Sequence, residues 1–163
     1  MKRDGILGFA AAALTAFVLW AAFPPRSEAY GVAFALAPML ALTRSMKPGR
    51  SAAWWFLSGF LFWFATLSWM PAISRNGGPL PLVLLGWAGL SAACAGYFAL
   101  FGALNSRLWA RLPPVAAVFG EAVLWAGCEW MRGTFFSGFA WNFLGTALGA
   151  MPRFASPASW GGP

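Results

Sequence analysis

Apolar runs separated by short gaps rich in proline, glycine and arginine set the organisation of this chain. The first run extends from Ile6 to Phe23 and stops at Pro24-Pro25. Lys2 and Arg3 precede it, as basic residues precede a signal peptide. The run exceeds the roughly 7–15 residues of a signal-peptide core, and no small-residue cleavage site closes it. It is read as an uncleaved first helix. The second run, 30–42, is short and contains Pro38. A straight span needs about 20 residues, so a short span, a re-entrant segment and a longer helix with polar ends all stay open. The third run, 52–70, is crowded with Trp and Phe and ends at Pro71, before the turn Arg75-Asn76-Gly77-Gly78-Pro79. The fourth, 80–104, carries Gly86, Gly89, Ser91, Ala92, Ala93, Ala95, Gly96 and Gly102, small residues that let helices approach closely in lipid. The fifth, 115–131, follows Pro113-Pro114, a composition that suits a helix start. From Gly133 onward, Gly138, Trp141, Asn142, Gly145, Gly149 and Pro152 break up a mixed aromatic stretch. The pattern predicts an all-α membrane protein. Residues 1–163 form one polytopic transmembrane helix bundle, with an interfacial Gly/aromatic segment over 133–163.

Composition supports the bilayer as the solvent. The chain is 60% hydrophobic and 9% charged, against about 45–50% and about 25% for soluble domains. Too few polar residues remain to cover a soluble surface. Eleven Trp accompany only two Tyr, and Trp favours the membrane–water interface. The net charge of +7 does not point to nucleic acid, because the basic residues are scattered through gaps rather than gathered on one face. With the N-terminus inside, Lys2, Arg3, Arg44, Lys47, Arg50, Arg107 and Arg111 fall on the inner side, provided the second run crosses. Everything after Met131 then lies on the outer side.

Candidate chemistry is sparse. Glu121 and Glu129 lie in the fifth run, and Trp125 shares their helix face at i, i+4, i+8 spacing. Carboxylates at membrane depth usually face a partner or a wet cavity. Arg132, three residues beyond Glu129, suits a structural ion pair at the outer interface or a lipid-headgroup site. Cys94 and Cys128 sit in apolar runs and read as buried small hydrophobes, with a disulfide dependent on helix packing. A chain with no His and two separated Cys offers no zinc site, and no catalytic constellation is visible. Two non-enzymatic readings stay open: a transporter or channel subunit using Glu121 and Glu129, and a membrane scaffold that acts through a partner.

One stretch is more specific. Glu129-Trp-Met-Arg132-Gly133, continuing through Gly138-Phe139-Ala140-Trp141-Asn142 to Gly145, resembles the apolipoprotein N-acyltransferase family, whose stretch reads roughly E-x-x-R-G-x-x-x-x-G-F-P-W-x-x-x-G. Ala140 stands where that pattern has Pro. Ala22-Phe23-Pro24-Pro25, Leu36-Ala37-Pro38 and Gly59 to Trp63 running on to Leu67-Ser68-Trp69 also look like the family, in the family's order.

The resemblance implies a multi-pass protein of the bacterial inner membrane with a cytoplasmic N-terminus and a periplasmic stretch after the fifth helix. Family members carry a periplasmic nitrilase-like domain with a Glu-Lys-Cys triad. Its Cys takes an acyl chain from a phospholipid as a thioester and passes it to the N-terminal diacylglyceryl-cysteine of a lipoprotein. The implied partners are therefore a phospholipid donor, a lipoprotein acceptor and the bilayer; no cofactor or metal is implied. The chain matches only the part preceding the nitrilase-like domain and stops in mid-pattern at Trp160-Gly161-Gly162-Pro163. It reads as a truncated, inactive fragment with no catalytic residue to assign. Trp69, Glu129, Arg132, Phe139, Trp141 and Asn142 are the candidate substrate- or lipid-binding residues. The plainer alternatives are interface anchors for Trp69 and Trp141, packing for Phe139, and a turn or cap for Asn142.

Overall fold

The computed structural model describes residues 2–24, 26, 28–151 and 156. Six α-helices follow in order: α1 (Lys2–Ala22), α2 (Ala37–Thr43), α3 (Pro48–Thr66), α4 (Leu80–Trp109), α5 (Pro114–Thr134) and α6 (Leu144–Ala147). Short 3-10 turns cover Ala29–Phe34, Met70–Asn76, Phe135–Ser137 and Leu148–Ala150, and no strand occurs among the described residues. Residues 152–155 and 157–163 of the expected interfacial stretch lie outside the described residues.

Proline writes the helix starts. α2, α3, α4 and α5 each hold a Pro in their first two positions, where the missing N–H would have no intrahelical acceptor anyway. The same rule shapes the second apolar run. Pro38 cannot donate to Phe34, and its ring would collide with that carbonyl in a continuous helix. The run is therefore a 3-10 turn followed by the short α2, rather than one helix over 30–42. Elsewhere the helices overrun their apolar stretches. α4 continues past residue 104 to Trp109, and α5 past 131 to Thr134.

Three stretches are long and apolar enough to cross a membrane: Gly5–Ala22, Pro48–Asn76 and Leu80–Trp109. α5 has a similar length but carries Glu121, Glu129 and Arg132. Large side chains stand exposed along the long helices, including Ile6, Phe9 and Phe17 on α1, Leu82 and Leu85 on α4, and Phe119 and Val123 on α5. Such faces suit lipid rather than water. The molecule is a helical membrane bundle.

Neighbouring helices alternate in direction. Gly8 of α1 meets Trp54 near the start of α3, and Gly120 of α5 meets Leu108 near the end of α4. α3 and α4 pack antiparallel in the most extensive contact, from Ser51, whose Oγ–H donates to the Gly102 carbonyl at 2.7 Å, to Phe64, whose ring stacks on Trp87 at 3.8 Å. Close approach is set by two glycines. A Cβ on Gly59 would fall 2.7 Å from the Phe98 ring, and one on Gly102 would collide with Trp55. By contrast, Gly86, Gly89 and Gly96 have no neighbour in the space a Cβ would fill, so the small-residue stripe of α4 is only partly a packing surface.

Trp55 centres the core. Its ring meets Phe101 edge-on at 4.8 Å and Trp125 at 6.0 Å. Its Nε1–H donates to Thr43 Oγ1 at 2.9 Å, tying α2 to α3.

Candidate functional site

At the end of the bundle where α3 and α5 finish, the chain after α5 folds back as a loop. Thr134 closes α5, and the following turn needs unusual backbone: Phe136 has φ 52°, Gly138 φ 76° and Asn142 φ 49°. A side chain at Gly138 would strike the Gly133 carbonyl, so this conformation and this contact both require glycine.

Two side chains from the last turns of α5 clasp the loop by its backbone. Arg132 is 4% exposed. Its Nη1 donates to the Phe139 carbonyl at 2.6 Å and to the Trp141 carbonyl at 2.7 Å. In return the Phe139 N–H donates to the Arg132 carbonyl at 2.8 Å. The guanidinium carbon lies 4.8 Å from the Trp63 ring centre and 4.9 Å from that of Phe143, a geometry worth about 0.5–2 kcal/mol per contact depending on desolvation. Glu129 Oε1 accepts the Leu144 N–H at 2.7 Å. That amide opens α6 and has no intrahelical acceptor. The expected direct Glu129–Arg132 ion pair is thus not among the described hydrogen bonds. Each charge instead holds a different part of the loop.

The six candidate residues come together here. Trp69 and Trp141, both about half exposed, stack at 5.9 Å. Phe139 stacks on Trp141 at 5.7 Å and meets Trp63 edge-on at 5.5 Å. Asn142, half-buried, lines a small cavity with Glu129, Arg132, Trp63, Trp125 and Cys128. Trp63 and Phe143, whose rings both meet the guanidinium, were missed; nothing in an apolar run of Trp and Phe distinguishes the ring that meets a cation. Cys94 and Cys128 are buried free thiols, which removes the disulfide reading.

Size separates the spaces around the clasp. The cavity beneath it has a volume of ≈ 20 Å³, room for about one water. A far larger groove of ≈ 610 Å³ runs beside it between the 29–43 segment and α5, from Leu40 and Glu121 to Glu129, Leu144 and Leu148. That volume lies within the roughly 300–1,000 Å³ of small-molecule sites. Its lining is apolar apart from the two carboxylates. Glu121 is already engaged, its Oε2 accepting Asn105 Nδ2–H at 3.0 Å and Trp109 Nε1–H at 2.8 Å.

Fold and clasp together define a polytopic membrane protein whose fifth α-helix pins an aromatic loop across one end of the bundle. Residues 15–163 match the family described as the apolipoprotein N-acyltransferase N-terminal domain. The chain belongs to this family. A relative from Rhodopirellula baltica named apolipoprotein N-acyltransferase is 33% identical over 94% of this chain and 27% of its own length. One of the same name from Ralstonia nicotianae is 34% identical over 83% of this chain and 27% of its own length. Another from Sinorhizobium fredii is 31% identical over 72% of this chain and 22% of its own length. The chain therefore spans about a quarter of the length of the curated relatives it matches.

Proposed function

We propose that this chain is the membrane part of an enzyme that moves an acyl chain from a phospholipid to the N-terminal diacylglyceryl-cysteine of a lipoprotein. Family membership supports the reaction class, and the clasped aromatic loop is the observation that carries the role of this part. Both substrates are anchored in a bilayer, so a rigid platform at one interface would limit their approach and lower the entropic part of the barrier. In this reading Arg132 and Glu129 are positioning residues. Trp69, Phe139, Trp141 and Asn142 form the platform, and the apolar groove beside α5 receives an acyl chain. Catalysis belongs to a domain outside this chain, and residues 1–163 alone are inactive.

We place the bundle in the bacterial inner membrane with five crossings, the second made by the 29–43 segment. The basic turns face the cytoplasm, following the excess of Lys and Arg in inner loops, and the clasp faces the periplasm. The transporter reading gains little, because Glu121 and Glu129 both already accept hydrogen bonds from the protein.

The test is acyl transfer by the full-length protein in proteoliposomes, from labelled phospholipid to a diacylglyceryl-cysteine peptide. Wild type should transfer. Arg132→Ala should lower kcat/KM by about 100-fold, the scale of an ångström-size misplacement. No transfer by the intact wild type would defeat the whole reading. Full activity and stability in Arg132→Ala would defeat the role of the clasp.

A further inference from the structure

The opposite end of the bundle is basic. Two turns meet there, 44–47 between α2 and α3 and 110–113 between α4 and α5. Arg44, Lys47, Arg50, Arg107 and Arg111 lie on these turns or in the adjoining helix ends, and all are exposed. The turns bound a recess of ≈ 380 Å³ lined by Arg44, Ser45, Met46, Ser106, Trp109 and Ala110. Its wall is fixed from behind. The Arg44 guanidinium carbon lies 5.5 Å from the Trp109 ring centre. Trp109 is in turn held by its bond to Glu121, which Asn105 shares. Among the described side chains Glu121 supplies the only carboxylate at this end, and it is turned to these two donors.

Membrane orientation alone asks for positive charge in a loop. It does not ask for a recess, or for a guanidinium laid against a braced indole at its edge. We propose that this recess binds the headgroup of an anionic phospholipid from the adjoining leaflet, with the phosphodiester against Arg44 and with Arg107 and Arg111 completing the cationic rim. Basic pockets between helices take such headgroups, and guanidinium matches phosphate with a planar fork of donors. A zwitterionic lipid carries the same phosphate, but its own ammonium offsets the attraction, so recognition should follow net charge. This lipid is distinct from the acyl donor, and the inference holds whether or not the enzymatic reading does.

Native mass spectrometry of the full-length protein, titrated with phosphatidylglycerol or phosphatidylcholine, tests it. Phosphatidylglycerol should bind at least tenfold more tightly. A cation near the membrane surface is worth about fivefold in affinity, so Arg44→Gln with Arg111→Gln should weaken phosphatidylglycerol about 25-fold and weaken phosphatidylcholine, which shares the phosphodiester but not the net charge, by less. If that pair fails to fold, Arg44→Lys, which keeps charge and loses the fork, should still weaken binding severalfold. Equal binding of the two lipids would overturn the proposal, as would undiminished phosphatidylglycerol binding in the folded variants. Competition by soluble glycerol phosphate at matched concentration would overturn it too, by showing a site for free phosphate.

Discussion

Glu129 shows how one atom can set the path of a loop. Its Oε1 receives the Leu144 N–H, and removing a partner from a half-buried charged hydrogen bond costs about 1–3 kcal/mol. Glu129→Ala should lower the stability of the detergent-solubilised protein by that amount. Glu129→Gln, which keeps a carbonyl acceptor, should lose less. Thermal unfolding with an indole fluorescence readout checks both, because Trp141 sits on the held loop; equal losses would separate the bond from the stability. Glu129 and Arg132 stood out in the sequence because charge in an apolar run demands a partner. Their partners were not legible. Both bind main-chain groups 7 to 15 residues away, and backbone atoms carry no signature in a sequence.

Among the elements, α3 and α4 form the rigid pair, and their separation is fixed where Gly59 faces Phe98 and Gly102 faces Trp55. Overpacking a closely fitted contact costs about 1–3 kcal/mol. Gly102→Val should cost that much, because Trp55 is fully buried and tied to Thr43. Gly96→Val should be nearly neutral, since nothing stands in its way. A urea or thermal midpoint for the two variants discriminates them, and equal effects would contradict the packing. The long helices were readable from apolar runs bounded by proline. The second run was not, since hydropathy cannot say whether Pro38 interrupts a helix or opens one. The polar helix ends past residues 104 and 131 were also unreadable, because backbone bonding continues where hydropathy stops.

For the molecule as a whole, alternating helices put the clasp and the basic turns at opposite ends. Trp141→Cys and Leu112→Cys, both at exposed positions, should therefore label from opposite sides of a sealed vesicle with a membrane-impermeant thiol reagent, 141 from the periplasmic side. Cys94 and Cys128 should stay silent, being buried. Labelling of both positions from one side would refute the proposed crossings.

The clasp grips peptide carbonyls and an amide, and these are the same whatever side chain each residue bears. A fastening of this kind is indifferent to the letters it fastens. The exposed side chain at 141 can then be rewritten, while Phe139, packed edge-on against Trp63, the glycine at 138 and the two charged anchors hold the frame. A library randomised at 141 would vary the outward surface of the loop and leave its scaffold standing.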